Sequence, residues 1–118
     1  MKIVSWNCRG LGSKTKEVAV KALVRSTNPN ILLIQETKLE DTSFLNKFPT
    51  FWRKNNGISS NSRGGSGGIG TLWDDSILEL LHRKIDQNWI LTIFCHKVSG
   101  NLVSLLNIYV PVTLEEKK

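Results

Sequence analysis

Asn30-Ile31-Leu32-Leu33-Ile34-Gln35-Glu36-Thr37 sets four consecutive apolar residues between a turn signal, Asn28-Pro29, and an acid. A short unbroken apolar run of this kind reads as a strand buried on both faces. Gln35-Glu36 stands where that strand emerges, and open α/β sheets place their sites at the carboxyl ends of strands. A carboxylate there costs folding energy unless something pairs with it, and a divalent cation is one such partner. Taken alone, the stretch is a strand followed by a solvated Glu36.

The N-terminus supplies a second strand, Lys2–Asn7, again apolar and again ending in a polar side chain. Cys8-Arg9-Gly10-Leu11-Gly12-Ser13 then turns on two glycines. Between the strands, roughly Thr15–Arg25 has helical periodicity, with Val18, Ala19, Ala22 and Leu23 as its apolar face. Asn28-Pro29 stops it. A β–α–β unit of this length implies two parallel strands with a right-handed crossover. Asn7 and Glu36 then converge, and the Asn7 amide can both donate to and accept from a carboxylate or phosphate.

These segments resemble the endonuclease/exonuclease/phosphatase superfamily. Lys-Ile-Val-Ser-Trp-Asn-Cys-Arg-Gly-Leu-Gly at the start and Ile-Leu-Leu-Ile-Gln-Glu-Thr-Lys after it are most similar to the apurinic-type endonuclease domain of plant LINE-type (non-LTR) retrotransposons. Asn107-Ile108-Tyr109-Val110-Pro111 resembles that family's Tyr-x-Pro segment, and Ser66-Gly67-Gly68-Ile69 with Trp73-Asp74 its glycine-rich stretch. All four occur in family order.

The resemblance implies a four-layer α/β sandwich of the DNase I-like kind, with two mixed sheets face to face and helices outside. It implies a phosphodiesterase that uses Mg²⁺ or Mn²⁺. Glu36 would be the metal ligand, Asn7 would hydrogen-bond the metal network or the phosphate, and Tyr109 would contact the scissile phosphate. Arg9, Lys14, Lys16 and Lys38 would contact nucleic acid, DNA being the expected partner. A metal on a carboxylate polarises a phosphoryl oxygen and offsets charge in the transition state. The family pattern continues after Tyr-x-Pro with an Asp-x-Asn pair, further acids and a terminal Asp-His. Val112–Lys118 supplies none of these. Residues 1–118 are therefore expected to form the N-terminal, incomplete part of such a domain. Two readings stay open: a nuclease by descent with little turnover, and a non-catalytic remnant that binds nucleic acid weakly.

Composition agrees with a polyanionic partner. The 118 residues carry 16 Lys+Arg against 10 Asp+Glu, net +6. Within residues 1–30 six bases face one acid, Glu17. Such an excess raises encounter rates with nucleic acid. Cys8 and Cys95 are too few and too distant in sequence for a disulfide framework or zinc site, so a reducing, intracellular setting is expected, nuclear for a chain of this resemblance. No signal peptide is visible, and the longest strictly apolar run, Ile31–Ile34, excludes a membrane-spanning helix.

The rest of the chain sets further expectations. Leu39–Phe48 reads as a short helix ended by Pro49, and Phe51–Lys54 as a brief strand. Asn56–Gly70, with six glycines and four serines, reads as a loop. It lacks the P-loop pattern. Gly68–Trp73, Ile77–Lys84, Trp89–Val98 and Leu102–Val110 read as a four-stranded antiparallel meander, with Ser99-Gly100-Asn101 as a hairpin loop. Asp86-Gln87-Asn88 spells Asp-x-Asn but falls between strands, where it reads as a turn. His82 and His96 read as structural or surface residues. With the partner sheet incomplete, Trp89, Leu91, Ile93, Val103 and Leu105 are expected to meet water on one side, and the Leu102–Val110 edge to permit self-association.

Overall fold

The computed structural model describes residues 1–63 and 66–110. Among the described residues, seven strands and two helices run in the order β1 (Ile3–Asn7), α1 (Lys14–Thr27), β2 (Ile31–Gln35), α2 (Asp41–Lys47), β3 (Asn55–Arg63), β4 (Ser66–Asp74), β5 (Leu78–Ile85), β6 (Trp89–His96) and β7 (Leu102–Ile108). A single 3₁₀ turn, Phe48–Thr50, follows α2. The first sheet has the order β1-β2-β4-β3, and the second β5-β6-β7. β1 and β2 pair in parallel with Asn7 beside Gln35. The other pairings are antiparallel, so the first sheet is mixed. Gly64, Gly65, Pro111 and the stretch 112–118 lie outside the described residues.

Alternation along β2 builds both cores. Leu32 and Ile34 face the helices, among Val20, Phe44, Phe48, Trp52 and Leu72. Ile31 and Leu33 face the second sheet, where they meet Ile58, Ile69, Trp73, Leu78, Ile90 and Phe94. The described residues thus stack three layers, helices on sheet on sheet, of the four expected. The outer face of the second sheet leaves Leu81, Leu102, Leu106 and Ile108 exposed.

Several expectations are corrected. Asn56–Gly70 is not a loop: its ends are the β3–β4 hairpin, whose register runs from Asn55 opposite Asp74 to Arg63 opposite Ser66. Its small residues serve close approach. A Cβ on Gly70 would lie 2.2 Å from the Phe44 ring, and one on Gly57 2.3 Å from Leu72. The glycines therefore let the aromatic side chains of α2 and the turn after it settle onto the sheet. Accordingly the meander has three strands, because β4 pairs with β2 and β3 instead. Phe51–Lys54 forms no strand. It is a turn that buries Phe51 and Trp52, with the Trp52 indole N–H donating to the Trp73 carbonyl at 3.1 Å.

The buried face of α1 is Val20, Leu23, Val24 and Thr27, while Val18, Ala19 and Ala22 are exposed. Two series with helical spacing overlap in this segment, and polar contacts choose between them. The Ser13 hydroxyl caps the helix by accepting from the Lys16 N–H. The Lys16 ammonium donates to the Cys8 carbonyl at 2.6 Å, and Glu17 pairs with Lys47 of α2. Those contacts fix the rotation of the helix.

The faces of the second sheet also separate differently. Phe94, Thr92 and Ile90 stand opposite Val103, Leu105 and Asn107 and point inward; Trp89, Leu91 and Ile93 point outward. The inner faces cover each other, so water meets the outer face. Asp86–Asn88 is a turn, closed by the Asp86 N–H donating to the Trp89 carbonyl. Gly100 turns the last hairpin with φ +75°. Cys8 and Cys95 are free thiols.

One side chain crosses between the sheets. Asn107 is 1% exposed. Its amide donates to the Gly70 carbonyl at 2.9 Å and the Thr71 hydroxyl at 3.2 Å, and its oxygen accepts from the Gln35 amide at 2.8 Å. Replacing it strands buried partners at about 1–3 kcal/mol each. Asn107→Ala should lower stability by about 2–3 kcal/mol in urea denaturation. Asn107→Asp should cost more, because a carboxylate would face the Gly70 carbonyl without a donor. A loss under about 1 kcal/mol in both variants would remove Asn107 from this role.

Asp74 gives the fold a pH dependence. Burial alone would raise its pKa, but donation from the Ser76 N–H and hydroxyl, with the Lys54 ammonium at 3.7 Å, outweighs burial and holds the carboxyl below its usual range. The folded state then binds its proton less readily than the unfolded chain. The stabilisation is complete above the unfolded value of about 3.9 and is lost as pH falls through the folded one. Asp74→Asn should flatten the fall of the urea midpoint as pH drops below about 4.

Candidate functional site

The residues after β1 and β2 leave the sheet side by side and are zipped together by backbone. Cys8 N–H donates to the Gln35 carbonyl (3.0 Å), Gly10 N–H to Glu36 (2.7 Å) and Leu11 N–H to Thr37 (2.9 Å). On the other flank Thr37 N–H donates to Gly68 (2.9 Å) and Lys38 N–H to Gly67 (2.7 Å). The segment 36–38 is therefore clamped between the turn after β1 and the start of β4. It needs the clamp. Glu36 and Lys38 both have φ +58°, a left-handed conformation that costs a residue with a Cβ about 1–2 kcal/mol. Arg9, at φ +54°, and Gly10, at φ +103°, make the matching turn after β1.

The clamp aims the side chains. Glu36 is only 24% exposed, and the nearest cation given to it is Lys38, whose ammonium lies 4.0 Å away. Asn7 is held by its own turn, with its side-chain oxygen accepting from the Arg9 N–H at 3.2 Å. Gln35 donates to the Ser5 hydroxyl at 3.0 Å as well as to Asn107. Tyr109 packs its ring over Gly67: a Cβ there would sit 3.4 Å from the ring edge. The Tyr109 N–H donates to the Asn88 carbonyl, which ties the end of β7 to the β5–β6 turn. The structure thus brings Asn7, Glu36, the Gly67-Gly68 pair and Tyr109 to one end of the first sheet.

The cations divide. Arg9, Lys14 and Lys38 reach solvent there, whereas Lys16 turns inward to the Cys8 carbonyl. Cys8 itself is fully buried, its thiol against the carbonyls of Gln35 and Glu36. Burial pushes the thiol up, so it is no nucleophile. Three residues of this end lie within the quoted motif segments but were given no role by them: Gln35, Thr37 and Asn107. Alternation along β7 already groups Asn107 with Val103 and Leu105, a signal that it is buried.

A magnesium ion keeps several waters and takes one or two carboxylates together with substrate phosphate. A half-open Glu36 carboxylate fits such a water-rich site. Among the described residues no three His, Cys, Asp or Glu side chains cluster in a way that could hold a metal. The donor set is therefore a thin one.

Residues 4–110 match the Endonuclease/Exonuclease/phosphatase family. No curated protein matches the chain. Among solved structures it is similar to an AP endonuclease, LMAP, from Leishmania major (TM-score 0.73, 21% identity, 93% of this chain and 40% of that one). It is similar to the APE2 catalytic domain from Xenopus laevis (0.72, 22%, 99% and 47%). A humanized TDP2 from D. rerio gives 0.77 at 16% identity, over 98% and 49%. The chain spans less than half the length of each of these structures, and at these identities the likeness is one of fold.

Two glycines test the clamp. Gly68 has φ +86°, and a Cβ on it would lie 2.4 Å from the Thr37 hydroxyl and 3.2 Å from the Lys38 nitrogen. Gly100 has φ +75° with nothing within 4 Å. Gly100→Ala should cost about 1 kcal/mol, from conformation alone. Gly68→Ala should cost about 2–4 kcal/mol, because overpacking adds to that. Equal losses in urea denaturation would show that the contact between residues 37–38 and 67–68 is slack.

Proposed function

The chain belongs to the endonuclease/exonuclease/phosphatase family, and from that premise we propose that it is a nuclease-type phosphodiesterase domain that uses a divalent metal and acts on DNA. One observation supports the reading: five backbone hydrogen bonds join the segments that follow Asn7 and carry Glu36 and Gly67-Gly68, and the Tyr109 ring packs over Gly67. In this reading Glu36 holds Mg²⁺ or Mn²⁺. The metal, when bound, neutralises phosphate charge and polarises a phosphoryl oxygen. Asn7 orients the phosphate or a metal-bound water through its amide. The Tyr109 hydroxyl donates to a phosphate oxygen. Arg9, Lys14 and Lys38 hold the backbone of the nucleic acid in register. A nuclear location goes with that substrate.

A specific observation favours a second, non-catalytic reading. Glu36 belongs to no group of three or more His, Cys, Asp or Glu side chains that could hold a metal among the described residues. General-base help is commonly worth a factor of about a hundred to ten thousand. For residues 1–118 by themselves the expectation is metal and DNA binding with little turnover. The two readings share Glu36 as the metal residue.

Manganese titration tests that residue directly. Mn²⁺ should broaden amide signals of residues 5–8 and 35–38, with a dissociation constant on the order of millimolar, as expected of one carboxylate and retained waters. Glu36→Gln should abolish that broadening while leaving the amide spectrum elsewhere intact. Broadening that persists in the variant would place the metal somewhere else and end the assignment.

A further inference from the structure

At the opposite end of the same sheet lies a basic cleft that the reading above does not use. It has a volume of about 430 Å³ and lies between the last turns of α1 and the Thr50–Lys54 turn. Val24, Phe51 and Trp52 form its apolar base, and Lys21, Arg25 and Arg53 stand exposed around it. Lys54 is spent on structure. Its ammonium donates to the Pro29 carbonyl at 2.9 Å, faces Asp74 at 3.7 Å and stacks over Trp52 at 5.4 Å. Lys21, Arg25 and Arg53 have no acidic partner within 4 Å among the described residues. Glu17, one helical turn before Lys21, is already paired with Lys47. Arg25, in the last turn, gains from the helix dipole. Lys21 adds to the field on Glu17 one turn earlier, and Arg53 has no acidic partner within 4 Å among the described residues.

The cleft is continuous with the strand end through α1. At 100° per residue, Lys14, Lys21 and Arg25 fall within about 20° of one line on the helix, spanning about 16 Å along its axis. Lys21 and Arg25 are about 6 Å apart in rise, a spacing at which two like charges repel unless an anion joins them. β2 sets a similar distance of about 16 Å between the cleft end and Glu36. The α1 helix thus carries a row of cations from its first turn to the cleft, where Arg53 joins Lys21 and Arg25.

We propose that this cleft is a second contact for the nucleic-acid backbone, remote from Glu36, in which Lys21, Arg25 and Arg53 each take a phosphate. The contact is to backbone and not to bases. Phe51 and Trp52 are 5% and 0% exposed and offer no ring face for stacking. A duplex lying along α1 would engage both ends of the row, so the cleft fixes how the strand crosses the site. The proposal rests on the reading that this chain binds nucleic acid, but not on the metal.

The test uses the 118-residue chain and a 16-base-pair duplex. At low salt, amide shifts should appear at residues 21, 25 and 50–54. Arg25→Ala/Arg53→Ala should weaken binding about tenfold near 0.1 M salt and lower the salt slope by about two. Arg83→Ala/Lys84→Ala, which removes the same charge from exposed positions of β5, should change affinity less than twofold. If both pairs fall equally, net charge explains the binding and the cleft has no special role. If polyglutamate of matched charge displaces the duplex as well as a second duplex does, the cleft is not a nucleic-acid contact. Failure of the metal assignment shows separately, in Glu36→Gln, and leaves these outcomes unaffected.

Discussion

The carboxamide of Asn107 is the contact on which the two sheets depend. Sheet packing by apolar side chains alone is tolerant of sliding, because any alternation of Val, Leu and Ile fills the space about as well. A buried amide is not tolerant. It must find a donor and acceptors at fixed distances or cost about 1–3 kcal/mol for each group left unmade. Here the partners come from Gln35 on β2 and from Gly70 and Thr71 on β4. Satisfying them fixes where β7 crosses the first sheet. It also fixes Gln35, the last residue of β2 before Glu36, and it places Tyr109 two residues further on over Gly67. The interaction holding the sheets in register therefore also delivers three of the site's segments to one place.

Conformational strain sits beside that anchor. Glu36 and Lys38 hold left-handed backbone that neither side chain favours. Such strain persists only where the surroundings over-determine it. Two flanking sets of backbone hydrogen bonds do so here, and Gly67 and Gly68 supply the space and the positive φ that one set requires. The result is a carboxylate projected from a rigid loop instead of from the last residue of a strand. In the proposed metal-binding role, a carboxylate that had also to order its own loop would lose part of its affinity to that ordering.

The sequence shows the parallel strands, the crossover, the helix after β2 and the last hairpin because each is marked locally, by an apolar run, a cap or a turn residue. It also shows Asn7, Glu36 and Tyr109 as strand-end residues, since strand direction alone carries them there. It misleads where a residue's partner is distant. Gly57 and Gly70 look like loop glycines until Phe44, Phe48 and Leu72 are packed against them. The phase of α1 is ambiguous by periodicity and is chosen by Lys16 reaching the Cys8 carbonyl, a contact no spacing announces. For the same reason Lys16 reads as a phosphate-binding surface lysine, though its ammonium is spent inside. Of the two sheet faces, Trp89 and Val103 cannot be sorted without the β6–β7 register.

The second sheet is built unevenly, and its unevenness has an energetic direction. At one edge β5 carries Glu79, His82, Arg83 and Lys84 and is interrupted by a bulge between Leu80 and His82. Charges and bulges are what keep an edge strand from pairing. The other edge, β7, has no charge, no proline and no bulge, and leaves Leu102, Leu106 and Ile108 exposed. Each large apolar side chain left in water forgoes roughly 1.5–3 kcal/mol of burial, against a total stability of about 5–15 kcal/mol for an ordinary domain. The inner faces offset part of this, since Ile90, Phe94 and the first-sheet residues they meet are closed to water. Among the described residues no strand lies on the free side of β7, and a strand added there would satisfy that row of backbone groups and extend cover over the apolar outer face. The protected edge and the unprotected one thus give the sheet a single direction in which it can grow.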